Sequence, residues 1–245
     1  MKAIYKRELR SYFTSPIGYV FVAVYLVLSG VLFAYTTLLS AISGGSADIG
    51  TYFTVLICGF SFLLPLLTMR LFADDRRMKT EQLLLTAPVS IGGMVGAKFL
   101  AAYTVFAGTY AVSALDFLLL YIYNDTTGVV TEKNTAMLVG YSIAVLLLGA
   151  AFIAIGVFVS SLTEHQITAV IATIAILVFC LCCGMLNSVI SFAPLRSVLS
   201  WLSIYSRFQN FAYGVFDFNA IIYYLSITFV FLFVTVRMYE KRRWA

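Results

Sequence analysis

The chain has 245 residues, of which 62% are hydrophobic and only 11% charged, with a formal net charge of +5 and a mean hydropathy of +0.97. Soluble domains carry roughly 25% charged residues, and a water-soluble chain of this length has no single core able to hide so much apolar surface. The composition excludes a soluble globular domain, and long unbroken apolar runs exclude a β-barrel, whose strands alternate; what remains is an all-α integral membrane protein.

The opening stretch, MKAIYKRELRSYFTSP, is too charged to be the apolar core of a cleavable signal peptide, so the first apolar segment is expected to be a permanent span. On a helical wheel Tyr5, Leu9, Tyr12 and Phe13 fall within roughly one 100° arc, with Lys6, Arg7 and Arg10 on the neighbouring face. This pattern predicts an interfacial helix over residues 1–16, with its apolar side toward the membrane and its basic side toward anionic headgroups. The plainer alternative is a basic tail that only fixes orientation. Pro16 then opens the next helix.

A span needs about 20 apolar residues. Six are expected, at Ile17–Leu39, Tyr52–Met69, Ala97–Tyr123, Ala136–Ser161, Thr168–Ile190 and Ala220–Met238, forming one bundle over 17–239 with a basic tail at 240–245. A Gly/Ser turn at Ser43–Ser46 joins the first two spans, and the polar NDTTGVVTEKN joins the third and fourth. LTEHQ joins the fourth and fifth, and an aromatic segment from Ser191 to Asn219 precedes the sixth. Thirteen of the sixteen Lys and Arg residues fall on one side of this arrangement, at the amino end, between spans 2 and 3, and at the carboxyl end. The positive-inside rule makes that side, and both termini, cytoplasmic, in a multi-pass protein of the plasma membrane.

The longest charged interruption is DDRRMKTEQLLLTAPVS, residues 74–90. Leu71, Phe72 and Met78 can cover apolar surface while Asp74, Asp75, Arg76, Arg77 and Glu81 project into the cytosol. Thr80 is placed to cap a short helix over EQLLLT, which includes Leu84, and Pro88 punctuates its end. Patterning alone fits equally a rigid docking lever between two spans and a solvated loop that keeps the segment cytoplasmic.

GGMVGAKF, Gly92–Phe99, is not a phosphate-binding loop. Ala97 separates the last glycine from Lys98, and Phe99 stands where Ser or Thr is required. The glycines suit close helix packing or a helix start. Asp116, the one carboxylate well inside a span, lies seven residues from the expected outer end, about 10 Å. It fits either a substrate path or a wet interface. Cys58, Cys180, Cys182 and Cys183 sit in apolar runs without metal spacing and are expected to be packing residues. His165, beside Glu164, is expected at a polar surface. No nucleotide site, catalytic constellation or metal set is legible, so the chain is not expected to be an enzyme by itself, and the spread of its basic residues is not that of a nucleic-acid binder.

The run from Asp74 to Ser90, with its acidic pair, arginine pair, threonine, leucines, proline and serine, resembles the cytoplasmic loop of permease subunits in type-2 ABC transporters. YKRELRSYFTSPIGYVF is similar to the amphipathic opening of the branch that includes gliding-motility and copper-processing permeases. YSRFQNFAYGVFDFNAIIYYLSITFVFLFVTVRMYEKRRW is similar to that branch's closing segment, so the resemblance runs the length of the chain. Two departures stand out: Lys79 where the loop usually has glycine, and Arg207 where the branch often has histidine. The resemblance implies a coupling helix within Asp74–Ser90, carried by Asp74, Asp75, Arg76, Arg77, Thr80, Glu81, Leu84 and Pro88. It also implies an interfacial helix over Ile4–Ser15, involving Lys6, Arg7, Arg10, Tyr12 and Phe13. External re-entrant helices between spans 5 and 6 would make Tyr205, Phe208 and Phe211, with Trp201 and Tyr213, candidates for the outer gate. Asp116 is a further path candidate. The implied partners are a cytosolic ABC ATPase subunit that binds ATP and Mg, a second permease copy or homologue, further membrane or extracytoplasmic subunits, and lipids. Hydroxyls such as those of Tyr103, Thr104 and Ser113 among aliphatic and aromatic side chains suggest lipidic, amphipathic or peptide cargo. A secondary transporter or channel, and a non-transporting scaffold subunit, are the alternatives.

Overall fold

The structure is a computed structural model and describes residues 2–39, 49–79, 90–118, 132–186, 203–209, 211 and 217–244. Among the described residues its helices are α1 (Lys2–Thr14), α2 (Pro16–Leu32, continued by a π-helical stretch Phe33–Leu38), α3 (Ile49–Thr68), α4 (Arg70–Arg77), α5 (Ile91–Ser113), α6 (Glu132–Leu162), α7 (Gln166–Leu186), α8 (Ile204–Gln209) and α9 (Phe218–Trp244). Six helical stretches are long and apolar enough to cross a membrane: α2 with its continuation, α3 running on through α4, α5, α6, α7 and α9. Among the described residues there is no strand.

The local reasons are visible. Ser15 has extended backbone and its hydroxyl accepts from the Ile17 amide at 3.3 Å, with Pro16 in the first helical position, so α2 starts there. Near the far end of α2, Thr36 Oγ1 donates to the Leu32 carbonyl at 2.8 Å, inside the π-helical stretch. α5 begins six residues before the Ala97 expected from hydropathy. Gly92 lies in its first turn, with open space where a Cβ would sit, so of the two readings of the glycines a helix start is the one realised there. Lys98 is consequently two turns inside a helix. At the carboxyl end α9 continues to Trp244, so Lys241, Arg242 and Arg243 of the expected basic tail form its last turn.

α6 is the centre of the bundle. Two-thirds of its most apolar window is covered by protein, against about a quarter for α2, α7 and α9. Ala150 to Ile155 and Val157 are buried, and Gly156 lets α3 come close, since a Cβ there would overlap Thr68 Oγ1. The space among α2, α3, α5 and α6 is filled with rings. Tyr25 stacks on Phe60 at 5.7 Å, Phe60 meets Phe106 edge-on at 5.4 Å, and Phe53 stacks on Phe117 at 5.8 Å and Tyr141 at 4.8 Å. The outward faces of α2 (Val20, Val24, Val27, Val31) and α9 (Ile222, Phe229, Val230, Phe233) are exposed and apolar, as bilayer contact requires.

Candidate functional site

Chemistry-bearing side chains concentrate at one end of the bundle, around α4. Hydropathy ends the second span at Met69, but the helix is only interrupted there. The Phe72 and Ala73 amides both donate to Ser160 Oγ of α6 at 3.2 Å, and the same hydroxyl donates to the Met69 carbonyl at 3.0 Å. A side chain from another helix has entered the backbone ladder, a recognised cause of a helix break. α4 therefore starts on a cap supplied from 88 residues away, and Asp74–Arg77 belong to a helix stacked on the second span, ahead of the short helix expected over EQLLLT. Thr80, Glu81, Leu84 and Pro88 lie outside the described residues.

Every other span end is tied to α4. Arg70 Nε pairs with Asp74 Oδ2 at 2.9 Å, and Arg70 Nη1 donates to Ser15 Oγ at the α1–α2 elbow. Gln166, at the start of α7, donates to Asp74 Oδ1. Arg76 donates to the Leu162 carbonyl at 3.1 Å and pairs with Glu164 at 3.5 Å, closing onto the α6–α7 link. Phe72 lies 5.0 Å, centroid to centroid, from Tyr239 of α9. Both termini thus lie at the same end of the bundle, as an even number of spans demands.

The helix closes at Met78, whose amide donates to the Asp74 carbonyl at 2.9 Å, while the Lys79 amide donates to the Arg76 carbonyl at 3.0 Å. Lys79 itself has φ of 56°, the left-handed conformation in which helix ends prefer glycine. The tight turn is formed here by a lysine.

Lys98, named above only as a lysine misplaced for a phosphate-binding loop, holds a larger part than the sequence suggests. It is 1% exposed. Its Nζ lies 2.6 Å from Asp75 Oδ2 and 3.4 Å from Glu8 Oε1, donates to the Leu71 carbonyl, and sits 4.9 Å from the centre of the Phe72 ring. The signal available was its context, GAKFLAAY, an ionisable side chain among small and apolar neighbours. Its two carboxylates, on separate elements, were not legible.

α1 turns its apolar arc toward the bundle. Tyr12 is buried and its hydroxyl donates to the Leu67 carbonyl at 2.9 Å, Tyr5 donates to Thr104 Oγ1 at 3.3 Å, and Ile4 and Leu9 pack on the core. Of the four residues expected to face the membrane only Phe13 is exposed; Lys6, Arg7 and Arg10 are exposed too. The wheel found the face but not what covers it. Gly18 makes the fold-back possible, because a Cβ there would overlap the Tyr12 carbonyl. Burial pushes the Tyr12 hydroxyl well above the ordinary tyrosine range, keeping it a donor. The bond to Glu8, 2.6 Å long, raises the Arg7 guanidinium above its ordinary value. A cavity of about 250 Å³ opens between α1 and α4, lined by Arg7, Glu8, Arg70, Asp74, Asp75 and Lys98, three cations and three anions.

The other candidates are elsewhere. Asp116 lies 18 residues beyond Lys98 on the same helical stretch, about 27 Å away along the axis, and is half-buried. Phe208 is buried and stacks on Tyr141 at 5.2 Å, so rings run continuously from Phe117 through Phe53 and Tyr141 to α8. Phe211 is buried, Tyr205 half-buried, and the Tyr224 hydroxyl donates to the Ile204 carbonyl at 2.9 Å. Arg207 lies 4.1 Å over the Tyr223 ring. These contacts pin α8 to α6 and α9; Trp201 and Tyr213 lie outside the described residues. Of the hydroxyls named as path-lining, Ser113 is buried against Tyr25 and Thr104 receives Tyr5, so both are engaged within the chain. His165 is exposed beside Glu164, and all four cysteines are free.

α4 is thus a short helix held by side chains from, or beside, each of the other spans. No protein-family model matches the chain, and no curated protein matches its sequence.

Proposed function

We propose that the chain is the membrane-spanning subunit of an ATP-driven exporter of the ABC type, forming half of a translocation path and worked by a separate cytosolic ATPase subunit. The observation that carries this reading is α4, which opens the charged stretch 74–90 and is tied to the other spans through Ser15, Lys98, Ser160, Gln166 and Tyr239. An ATPase seated on that stretch gains a handle on the whole bundle. The basic residues gathered at the same end favour a cytosolic position for it by the positive-inside rule, and the resemblance of Asp74–Ser90 to a coupling loop supports an ABC-type ATPase as the partner. ATP and Mg belong to that partner. The path requires a second copy or homologue, because the interior of one bundle is filled with closely packed rings (Phe53, Phe60, Phe106, Phe117, Tyr141). The same filling argues against a channel through a single chain.

Purification from native membranes in mild detergent tests the reading. An ABC-type ATPase subunit is expected to travel with the chain, and Glu81→Lys is expected to uncouple its ATP hydrolysis from transport while the complex stays intact. Labelling of residues 74–90 from the extracytoplasmic side, or cargo movement by the isolated polypeptide, refutes it.

A further inference from the structure

At the end of the bundle opposite α4, Arg207 is a cation without a counter-charge. Among the described residues no carboxylate pairs with it, and the sequence carries no Asp or Glu between Glu164 and Asp217. Asp217 itself accepts from the Asn219 amide at 2.9 Å, at the start of α9. The Arg207 Nε is buried and has no hydrogen-bond partner. What Arg207 does have is Tyr223, whose ring centre lies 4.1 Å from the guanidinium carbon. Stacking covers one face of that planar group and leaves the N–H donors at its edge free. A guanidinium keeps its charge in proteins, so losing a proton does not relieve the cost of holding it here. Nor is α8 a loose carrier. Gly184 lets α7 come so near that a Cβ there would lie 2.7 Å from Ser203 Oγ, the Tyr224 hydroxyl donates to the Ile204 carbonyl at 2.9 Å, and Phe208 stacks on Tyr141 of α6.

The depth of Arg207 follows from α9. Tyr223 stands about 7 Å along the helix axis from Phe218, where α9 begins. The span Phe218–Arg243 has 26 residues and is about 39 Å long, against a hydrocarbon core of about 30 Å. Arg207 therefore lies at the hydrocarbon edge, within a long side chain's reach of the lipid phosphates. An apolar groove runs beside it. α7 and α9 each pack on α6 but scarcely on each other, and Phe179 of α7 and Ile222 of α9, both toward this end, are exposed. We propose that Arg207 and the groove between α7 and α9 form a phospholipid site, with the guanidinium edge on the phosphate oxygens and an acyl chain in the groove. A planar fork suits a phosphate because two parallel N–H donors meet two oxygens, and basic pockets between membrane helices hold lipid headgroups. The cations at the other end are spent differently: Arg70, Arg76 and Lys98 each have a carboxylate of their own. The site needs only the membrane spans and does not rest on the exporter reading.

Photolabelling of the full chain in maltoside micelles tests the site without any ATPase. The probes are a phosphatidylglycerol and a diacylglycerol that carry the same diazirine acyl chain, and the labelled segments are read by mass spectrometry. Labelling of 166–186 and 218–236, taken relative to 16–32 on α2, is expected to be about fivefold higher with the phosphatidylglycerol, the preference one basic residue gives an anionic lipid. Arg207→Gln is expected to abolish that excess and leave the diacylglycerol pattern as it was. Arg237→Gln, which alters a cation already paired with Glu240 at 2.8 Å, is expected to keep it. Equal labelling by the two probes, or an excess that survives Arg207→Gln, overturns the proposal. So does a fall in the labelling by both probes in Arg207→Gln, the mark of a groove that has merely collapsed. Displacement of the lipid probe by millimolar glycerol 3-phosphate reveals a site for free phosphate and overturns the lipid assignment. If Arg207→Gln does not fold, the two probes on the unaltered chain still decide, because a groove without an anion site takes both equally.

Discussion

Replacing Ser160 by alanine removes one oxygen and three hydrogen bonds. That hydroxyl accepts from the Phe72 and Ala73 amides at 3.2 Å and donates to the Met69 carbonyl at 3.0 Å, with the side chain fully buried. Hydrogen bonds between membrane helices average about 0.6 kcal/mol each, which puts the three together near 2 kcal/mol. Orphaned buried groups cost about 1–3 kcal/mol apiece, but α4 can straighten and return the two amides to the carbonyls four residues back, which holds the total near the lower figure. Ser161 is the internal control. It is equally buried, yet its hydroxyl donates at 2.5 Å to Phe158 of its own helix, so Ser161→Ala removes no bond between helices. Equilibrium unfolding of the two variants in mixed micelles is expected to separate them, with a loss of about 2 kcal/mol for Ser160→Ala and under about 0.5 kcal/mol for Ser161→Ala. Equal losses, or a neutral Ser160→Ala, refute the idea that α4 begins on a cap lent by α6.

Gly156→Ala drives a Cβ into Thr68 and is expected to cost about 1–3 kcal/mol. Thr68→Ala should recover part of it in a double-mutant cycle, because it removes Oγ1, which bonds only its own helix at the Leu64 and Pro65 carbonyls, but keeps a Cβ 2.8 Å from the new one. Lys79→Gly relieves a left-handed residue and should stabilise the end of α4 by about 1 kcal/mol, read as slower amide exchange there; faster exchange counts against the assigned turn. Tyr12→Phe removes the bond to the Leu67 carbonyl, worth about 1 kcal/mol. It should quicken tryptic cleavage at the exposed Lys6, Arg7 and Arg10 while leaving Arg70 protected.

The spans were legible because a bilayer demands long apolar runs, and each of the six lies close to where composition placed it. Their ends were less so, since hydropathy responds to charge and not to backbone. Arg70–Arg77 scores as loop, yet nothing in that stretch breaks a helix, and Ser160 bridges the one interruption. The candidate coupling residues stood out by charge, but their partners did not. Asp75 finds Lys98 across 23 residues, Asp74 finds Gln166 across 92, and no periodicity encodes such pairings. Lys79 is an instructive case. The permease loops that this stretch resembles usually have glycine there, and the left-handed backbone is present although the glycine is not. Tyr5, Leu9 and Tyr12 show the converse limit, for an amphipathic wheel reports that a face must be covered without saying whether lipid or protein covers it.

The central position of α6 bears on how the molecule is made. A ribosome delivers the segments in order, so the helix destined for the middle enters the bilayer fourth, when α2, α3 and α5 are already there to receive it and α7 and α9 have yet to be synthesised. At a hydropathy of 2.7 it is apolar enough to wait in lipid, and its flat alanine and glycine surfaces gain their contacts as the last two segments arrive and close the ring. Truncation after residue 162 would therefore leave a membrane-inserted intermediate with its hub half uncovered, the form on which quality-control proteases act.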